Sequence, residues 1–487
     1  MILPAEVQAL IDALGSEISA LRAEIGDLRR ENEGLRAENA ALRAEVAELR
    51  RRLDLDSTTS SRPPSSDGLK KKPRVPGSLR GRSGKASGGQ RGHKGDTLRR
   101  VATPDRVVRH EAAACRRCRA ALTASMQTGF EARQVFDLPE RLIEVTEHRG
   151  AIYACAHCGG QTRASFPDGV ISPAQYGERI KAAAVYLNVQ QLLPEDRTAQ
   201  ALQDLFGAPL VCPASVIAWM GRKAQALEGV YHAIGTRVGG ARVRHLDETG
   251  FRIAGSLQWL HTTSSRSHTF YRVGAARGDV PKGLKGGVVV HDHFRPYNAL
   301  ADVGHAFCNA HHLRELKALI EIDKEPWALA MRDVLLDAAK AVRQAEEAGV
   351  RALEPERVQG FVDRYWQAVR EGLAFHRALP AFDPSPGSKK RKKQRPGHNL
   401  LIRFKTFKDE TLRFLVDFDV PFTNNLAEQD LRMTKVKMKI SGGFRTFQGA
   451  HVFVRLRSIV STARKHGLNI LHALTANPSQ LRLAIAA

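Results

Sequence analysis

The chain has 487 residues, enough for several domains at roughly 100–200 residues each. Its hydrophobic fraction of 43% is ordinary, but a net charge of +24 and a pI near 10.1 point to a polyanionic partner, nucleic acid first and an acidic membrane surface second. There is no run of about eighteen apolar residues, and Met1–Glu17 lacks a basic stretch followed by an apolar one, so neither a membrane span nor a signal peptide is expected, and the expected location is the cytoplasm.

The first element, residues 1–56, reads as a leucine zipper. Leu14, Leu21, Leu28, Leu35, Leu42 and Leu49 recur every seventh residue, with Ile11, Ile18, Ile25, Asn32, Asn39, Val46 and Leu53 offset between them. An apolar repeat averaging about 3.5 residues is a coiled-coil seam, and β-branched residues at one seam position with Leu at the other favour two parallel strands. Glu17, Glu24, Glu31, Glu38 and Glu45 precede the seam, and Arg22, Arg29, Arg36, Arg43 and Arg50 follow the leucines, so each Glu would face the Arg five residues further along a partner chain. A homodimer or higher oligomer is therefore expected. Asn32 and Asn39, buried in such a seam, would fix its register.

Residues 57–104 form a linker rich in Pro, Gly, Ser and basic residues. Pro63 and Pro64 cannot continue a helix, and Lys70–Arg100 contains Asp96 as its only acid. Such a composition cannot bury a core, so a basic arm is expected, with Lys70, Lys71, Lys72, Arg74, Arg91 and Lys94 as candidate phosphate contacts. A merely solubilising linker has the same composition.

Residues 105–172 contain Cys115-Arg-Arg-Cys118 and Cys155-Ala-His-Cys158. Two Cys-x-x-Cys pairs on short strands suit a structural Zn²⁺ in a zinc-ribbon-like module, because Cys115, Cys118, Cys155 and Cys158 would fill a tetrahedral shell and leave no catalytic position open. Residues 173–240 have a helical period and are a candidate DNA-binding segment, although two short helices around Gly207 are a weak signal for a helix-turn-helix.

From about Arg242 the period changes to two. Arg242–Ile253, Gln258–Ser264 and Thr269–Val273 read as strands, and the apolar Gly287–Val290 reads as a fourth, central strand. The rest is mostly helical, broken by the basic run Ser388–Arg395. Three strands, a crossover and a central fourth are how a ribonuclease-H-like domain begins, here assigned to residues 241–470 with a helical insertion at about 299–421 and a tail at 471–487. If such a domain cuts phosphodiesters, acids belong on the first strand, after the fourth and on a later helix. Asp247, Asp292 and Glu428 occupy those places. Magnesium prefers oxygen ligands, and two such ions can activate a nucleophile and stabilise a leaving oxygen, so these acids are the candidate catalytic residues and ligands for Mg²⁺ or Mn²⁺. Each also has a structural explanation. Asp247 and Asp292 could cap turns, and Glu428 could form a capping box with Asn425 and an ion pair with Arg432.

These residues resemble the transposases of the bacterial insertion sequence 66 family. The resemblance rests on Ser60–Asp67, Gly88–Gly95, the cysteine pairs, Leu193–Arg197, Leu205–Gly207, His245–Gly250, His291-Asp292 with Tyr297, Cys308–His312 with Arg314, and Asn424–Arg432. It implies a multidomain α+β protein with an Asp-Asp-Glu triad, a nucleoid-associated bacterial location, and double-stranded DNA (transposon ends and target) as partner, and it leaves room for element-encoded accessory proteins. It implies cleavage at transposon ends and joining of 3′-hydroxyls to target DNA. Lys439–Arg445 departs from the run many members carry there. His311 or His312, with Arg314, is a candidate support for the scissile phosphate, Arg432 is a further candidate support residue, and Lys435, Lys437, Lys439 and Arg445 are candidate DNA contacts. Two other functions fit the same domains: a non-enzymatic dimeric zinc-containing DNA-binding regulator, and a nuclease without strand transfer. A regulator has no need for three converging acids.

Overall fold

In a computed structural model, residues 5–56, 59, 98–139, 142–379 and 394–486 are described. The candidate contacts Lys70, Lys71, Lys72, Arg74, Arg91 and Lys94, and most of the run Ser388–Arg395, lie outside the described residues. The chain divides into two units: Met1–Pro76 with Tyr176–Ala199 and Cys212–Ala487, and Gly77–Gln175 with Gln200–Val211. The protein is a mixed α+β molecule with a long N-terminal helix and a central sheet.

The N-terminal helix is α1 (Ala5–Asp54). Leu14, Leu21, Leu28, Leu35, Leu42 and Leu49 are all close to half exposed along it, as are Ile11, Ile18 and Ile25. The heptad stripe is thus left in solvent by a single copy of the chain. The second unit carries a short antiparallel pair, β1 (Ile152–Ala154) and β2 (Gln161–Arg163).

Next come α2 (Glu178–Val185), α3 (Glu195–Phe206), α4 (Pro213–Ala226) and α5 (Glu228–Gly239). The central sheet has five strands: β3 (Val243–Ile253), β4 (Ser256–Ser264), β5 (Thr269–Gly274), β6 (Val288–His291) and β7 (Gly304–Phe307), in the order β5-β4-β3-β6-β7. β3, β4 and β5 are joined by tight turns and run antiparallel, while β6 and β7 run parallel to β3. β6 is buried at every position, as an apolar strand flanked on both sides should be. Gly287 opens it at φ +61°, and an added Cβ would lie 2.6 Å from the Arg242 carbonyl oxygen, so a side chain here would push β6 off β3. β7 is a fifth strand inside the stretch expected to be mostly helical.

A helical body follows the short α6 (Arg295–Asn298) and β7: α7 (Asn309–Ala318), α8 (Pro326–Glu347), α9 (Pro355–Ala378), α10 (Pro396–Thr406) and α11 (Lys408–Val416). On α8, Trp327, Met331, Val334, Leu335, Ala338 and Val342 repeat at helical spacing and are buried with Tyr365, Leu401 and Phe404, so this body has its own core. The chain returns through α12 (Asn425–Ser441) to α13 (Phe447–Lys465), α14 (Ile470–Thr475) and α15 (Pro478–Ala484).

Helix α13 closes the edge of the sheet. The backbone N–H groups of Thr269 and Tyr271 donate to Thr462 Oγ1 at 3.1 Å and Ser458 Oγ at 3.0 Å. Four helical residues rise about 6 Å and two strand residues about 6.6 Å, so hydroxyls four apart on a helix meet alternate amides of a strand. An exposed edge that could pair with another chain is thereby satisfied from within.

Candidate active site

Asp247 lies in β3, two residues beyond the register pair His245–Val290 that joins β3 to β6. Continuing that register sets Asp247 beside Asp292, which directly follows β6. Helix α12 packs on β3 and delivers Glu428 in its first turn. Asn424, the residue before α12, secures this return. Its Nδ2 donates to the Leu246 carbonyl at 2.8 Å, its backbone N–H donates to Cys308 Sγ at 3.1 Å, and its Oδ1 lies 2.9 Å from His245 Nδ1. Burial pulls the His245 pKa down to about 4, so the ring is neutral at pH 7 and Nδ1 supplies the proton that Asn424 accepts.

The acids act on one another through their charges, although Asp247, Asp292 and Glu428 do not all bring ligand atoms within 4.8 Å of one another. Burial is the first cause pushing Asp247 up to about 8; the charges of Glu248, Glu428 and Asp292 add to it, against the Glu248 N–H that donates to Asp247 at 2.9 Å. Asp292 is also raised, by burial first and by Glu248, although the Phe294 N–H donates to it at 2.9 Å. Glu248 is buried, accepts from Arg277 at 2.8 Å, and accepts a short bond from the Tyr297 hydroxyl. Burial and then Glu248 raise the Tyr297 hydroxyl, so it stays a proton donor at neutral pH. Like charges held in a water-poor site favour either a shared proton or a bound cation. Glu428 pairs with Arg314 at 3.9 Å, and its Oε1 is buried without a hydrogen-bond partner.

Residues 173–452 match the family described as Transposase IS66 family. The chain belongs to that family. Residues 2–99 match a second family, a Family of unknown function (DUF6444). Over 75 residues the chain is 37% identical to the Uncharacterized protein y4jO of Sinorhizobium fredii (strain NBRC 101917 / NGR234), which covers 15% of this chain and 23% of that protein. The chain therefore spans about a quarter of the length of that curated relative. No solved structure matches. Among the described residues no helix is long and apolar enough to cross a membrane.

The other candidate residues of this IS66 family chain fall as follows. His312 is wholly buried, and both of its ring nitrogens are engaged. Asn309 Nδ2 donates to the Thr411 carbonyl at 3.0 Å, so its Oδ1 accepts from His312 Nδ1 at 2.8 Å, and His312 Nε2 then accepts from His293 Nε2 at 2.7 Å. His311, not His312, reaches Glu428. Cys308, His311 and Glu428 each bring a ligand atom to within 4.8 Å of the other two, and among the described residues no other group of three or more His, Cys, Asp or Glu is gathered so closely. Lys435 and Arg445 are exposed, as DNA contacts must be, and so is Arg432, a candidate support residue. Lys437 departs from that expectation. It is buried beneath the rings of Phe444 and Phe453, at 5.8 and 5.7 Å, and burial lowers its pKa. Glu428 meets Arg314 of α7 rather than completing the expected pair with Arg432, and the cap position falls on Asn424 rather than Asn425, so the expected capping box does not form.

The two cysteine pairs sit in matching turns. The Cys115 amide donates to Ala120 O at 2.9 Å and the Arg119 amide to Cys115 O at 2.9 Å; the Cys155 amide donates to Gly160 O at 2.9 Å and the Gly159 amide to Cys155 O at 2.8 Å. Arg119 and Gly159 both take positive φ, +61° and +72°. These turns aim backbone N–H groups at sulfur: those of Cys118 and Arg117 lower the Cys115 thiol, and those of Cys158 and His157 lower the Cys155 thiol. The four sulfurs are not gathered within 4.8 Å of one another.

Proposed function

We propose that this chain is a DNA transposase that cleaves transposon ends and joins the freed 3′-hydroxyls to target DNA, with Asp247, Asp292 and Glu428 as its catalytic carboxylates. The observation that carries the reading is the state of Asp247. Continuing the register of β3 with β6 sets this carboxyl beside Asp292, and burial with the charges of Glu248, Glu428 and Asp292 pushes it to about 8, an environment that favours either a proton or a cation. The sheet order, with an antiparallel meander followed by two parallel strands, supports a ribonuclease-H-like domain. The residues suit Mg²⁺ or Mn²⁺: the donors are carboxylate oxygens, and one of them, Glu428 Oε1, is buried with no hydrogen-bond partner. When bound, such ions supply an activated hydroxyl and stabilise the leaving oxygen. Asp247 must give up its proton before it can serve as a ligand, Asn424 holds Glu428 opposite β3, and Arg314 neutralises Glu428 until then.

The remaining parts have roles in the same reaction. The exposed heptad stripe of α1 pairs two chains as a parallel coiled coil, which brings two DNA ends together. Cys115, Cys118, Cys155 and Cys158 would hold a structural Zn²⁺ in a ribbon-like module once the two turns close on each other. The net charge of +24, with exposed Arg432, Lys435 and Arg445 and the basic residues of the linker, engages phosphates. The test is cleavage and joining of an end-containing duplex in Mg²⁺, comparing the native chain with Asp247→Ala, Asp292→Ala and Glu428→Ala. All three variants should be inactive; native-like cutting by all of them sinks the reading. Cutting without joining selects a nuclease instead.

A further inference from the structure

Helices α7 and α12 meet at their N-termini, and the meeting point is chemically unlike a magnesium site. Cys308 is the residue before α7, and His311 lies three residues on, so their side chains share the first helical turn. Two bonds hold the helix starts together: the Asn309 amide donates to Phe422 O at 3.1 Å, and the Asn424 amide donates to Cys308 Sγ at 3.1 Å. Into this junction project one sulfur, one imidazole nitrogen and one carboxylate oxygen, all within 4.8 Å of one another. His311 Nδ1 and Glu428 Oε1 are both buried and lack hydrogen-bond partners. Buried polar atoms are rarely left unsatisfied, so two of them in one junction beside a thiol call for an explanation.

We propose that Cys308, His311 and Glu428 form a binding site for a borderline-soft divalent cation, Zn²⁺ or its spectroscopic substitute Co²⁺. Tetrahedral bonds of about 2.0–2.3 Å put ligand atoms roughly 3.3–3.6 Å apart, so modest rotamer adjustment closes the site. Thiolate and imidazole select Zn²⁺ or Co²⁺ over Mg²⁺, which prefers oxygen alone. The Glu428 side chain retains 36% exposure, which leaves room for water as a fourth ligand. Burial and then Glu428 push the Cys308 thiol up to about 12, against the Asn424 amide directed at Sγ, so formation of the metal–sulfur bond must drive its proton off to solvent. Burial holds His311 neutral, with a pKa near 3, so it presents a lone pair without losing a proton. Arg314, at 3.9 Å from Glu428, is the cation the metal must displace. The site stands on its own donors; its effect on DNA cleavage, through sharing of Glu428, rests on the transposase reading.

The test is a Co²⁺ titration of the full-length chain, stripped of metal under reducing conditions, with bound ions counted and thiolate-to-cobalt absorption followed. Cys308→Ser and His311→Gln are compared with the native chain. The cysteine turns contribute equally to all three proteins, so the native chain should bind one more Co²⁺ per chain than either variant. Equal binding by the native chain and both variants overturns the proposal. If Cys308→Ser loses its circular dichroism, the count rests on His311→Gln alone. No DNA enters the titration, so it can fail while the cleavage assay succeeds, and the reverse.

Discussion

Replacing Asp247 by Asn should stabilise the protein while abolishing its activity. In the folded chain Asp247 keeps its proton up to about pH 8, whereas an unperturbed Asp releases it near 3.8. Between those values the folded state binds more protons than the unfolded state, so this residue's contribution to stability falls as pH rises. Evaluated at pH 7, the interval from 3.8 upward is about 3 pH units, or about 4 kcal/mol at 1.36 kcal/mol per unit, and it is an upper bound because the neighbouring acids titrate together. The carboxamide introduced by Asp247→Asn cannot ionise, and its oxygen still accepts the Glu248 amide. Urea unfolding in metal-free buffer, read by tryptophan fluorescence, measures the effect. Trp219, Trp259, Trp327 and Trp366 are the chain's four tryptophans, and all lie between residues 173 and 452, so the signal reports this region. The gain for Asp247→Asn should vanish near pH 4 and grow toward pH 8. Identical unfolding midpoints for the two proteins from pH 5 to pH 8 would refute the raised-carboxyl argument.

Two further outcomes are expected. Cys115→Ser should lower the zinc retained on gel filtration by one ion per chain relative to the native protein; equal zinc in the two proteins eliminates the four-cysteine site. Replacing Asn32 and Asn39 together with Ile should loosen the strand number of the α1 assembly, detected as mixed oligomers by analytical ultracentrifugation. A strictly dimeric double variant shows that those residues do not set the assembly.

Much of the sheet was legible because its patterns are local. The expected Arg242–Ile253 and Gly287–Val290 correspond to Val243–Ile253 and Val288–His291, since alternation and a short apolar run are direct signatures of half-buried and fully buried strands. β7 was not legible. Gly304-His-Ala-Phe307 has no strand pattern of its own and pairs because β6 offers a parallel edge. The three acids stood out by their positions on these elements, but their neighbours did not. Arg314 was expected at the scissile phosphate, but its approach to Glu428 at 3.9 Å joins α7 to α12 across more than a hundred residues of chain, a contact no spacing encodes. Lys437 is the opposite case. Ala427, Leu431 and Thr434 are buried at helical intervals, and extending that period by three residues puts Lys437 on the same inward face. The signal was present, but the residue's charge hid it.

The Asn424 clasp bears on how such a chain can evolve. Between Asp292 and Glu428 the polypeptide makes a long excursion through a helical body with its own core. Closing a loop becomes only slowly more unfavourable as it lengthens. Because the returning chain is fastened to Leu246 and Cys308 at the point of re-entry, the far end of that excursion can grow, shrink or be exchanged without retuning the position of Glu428. The helices beyond α7 are thus the part of the chain where length can vary at least cost to the carboxylates.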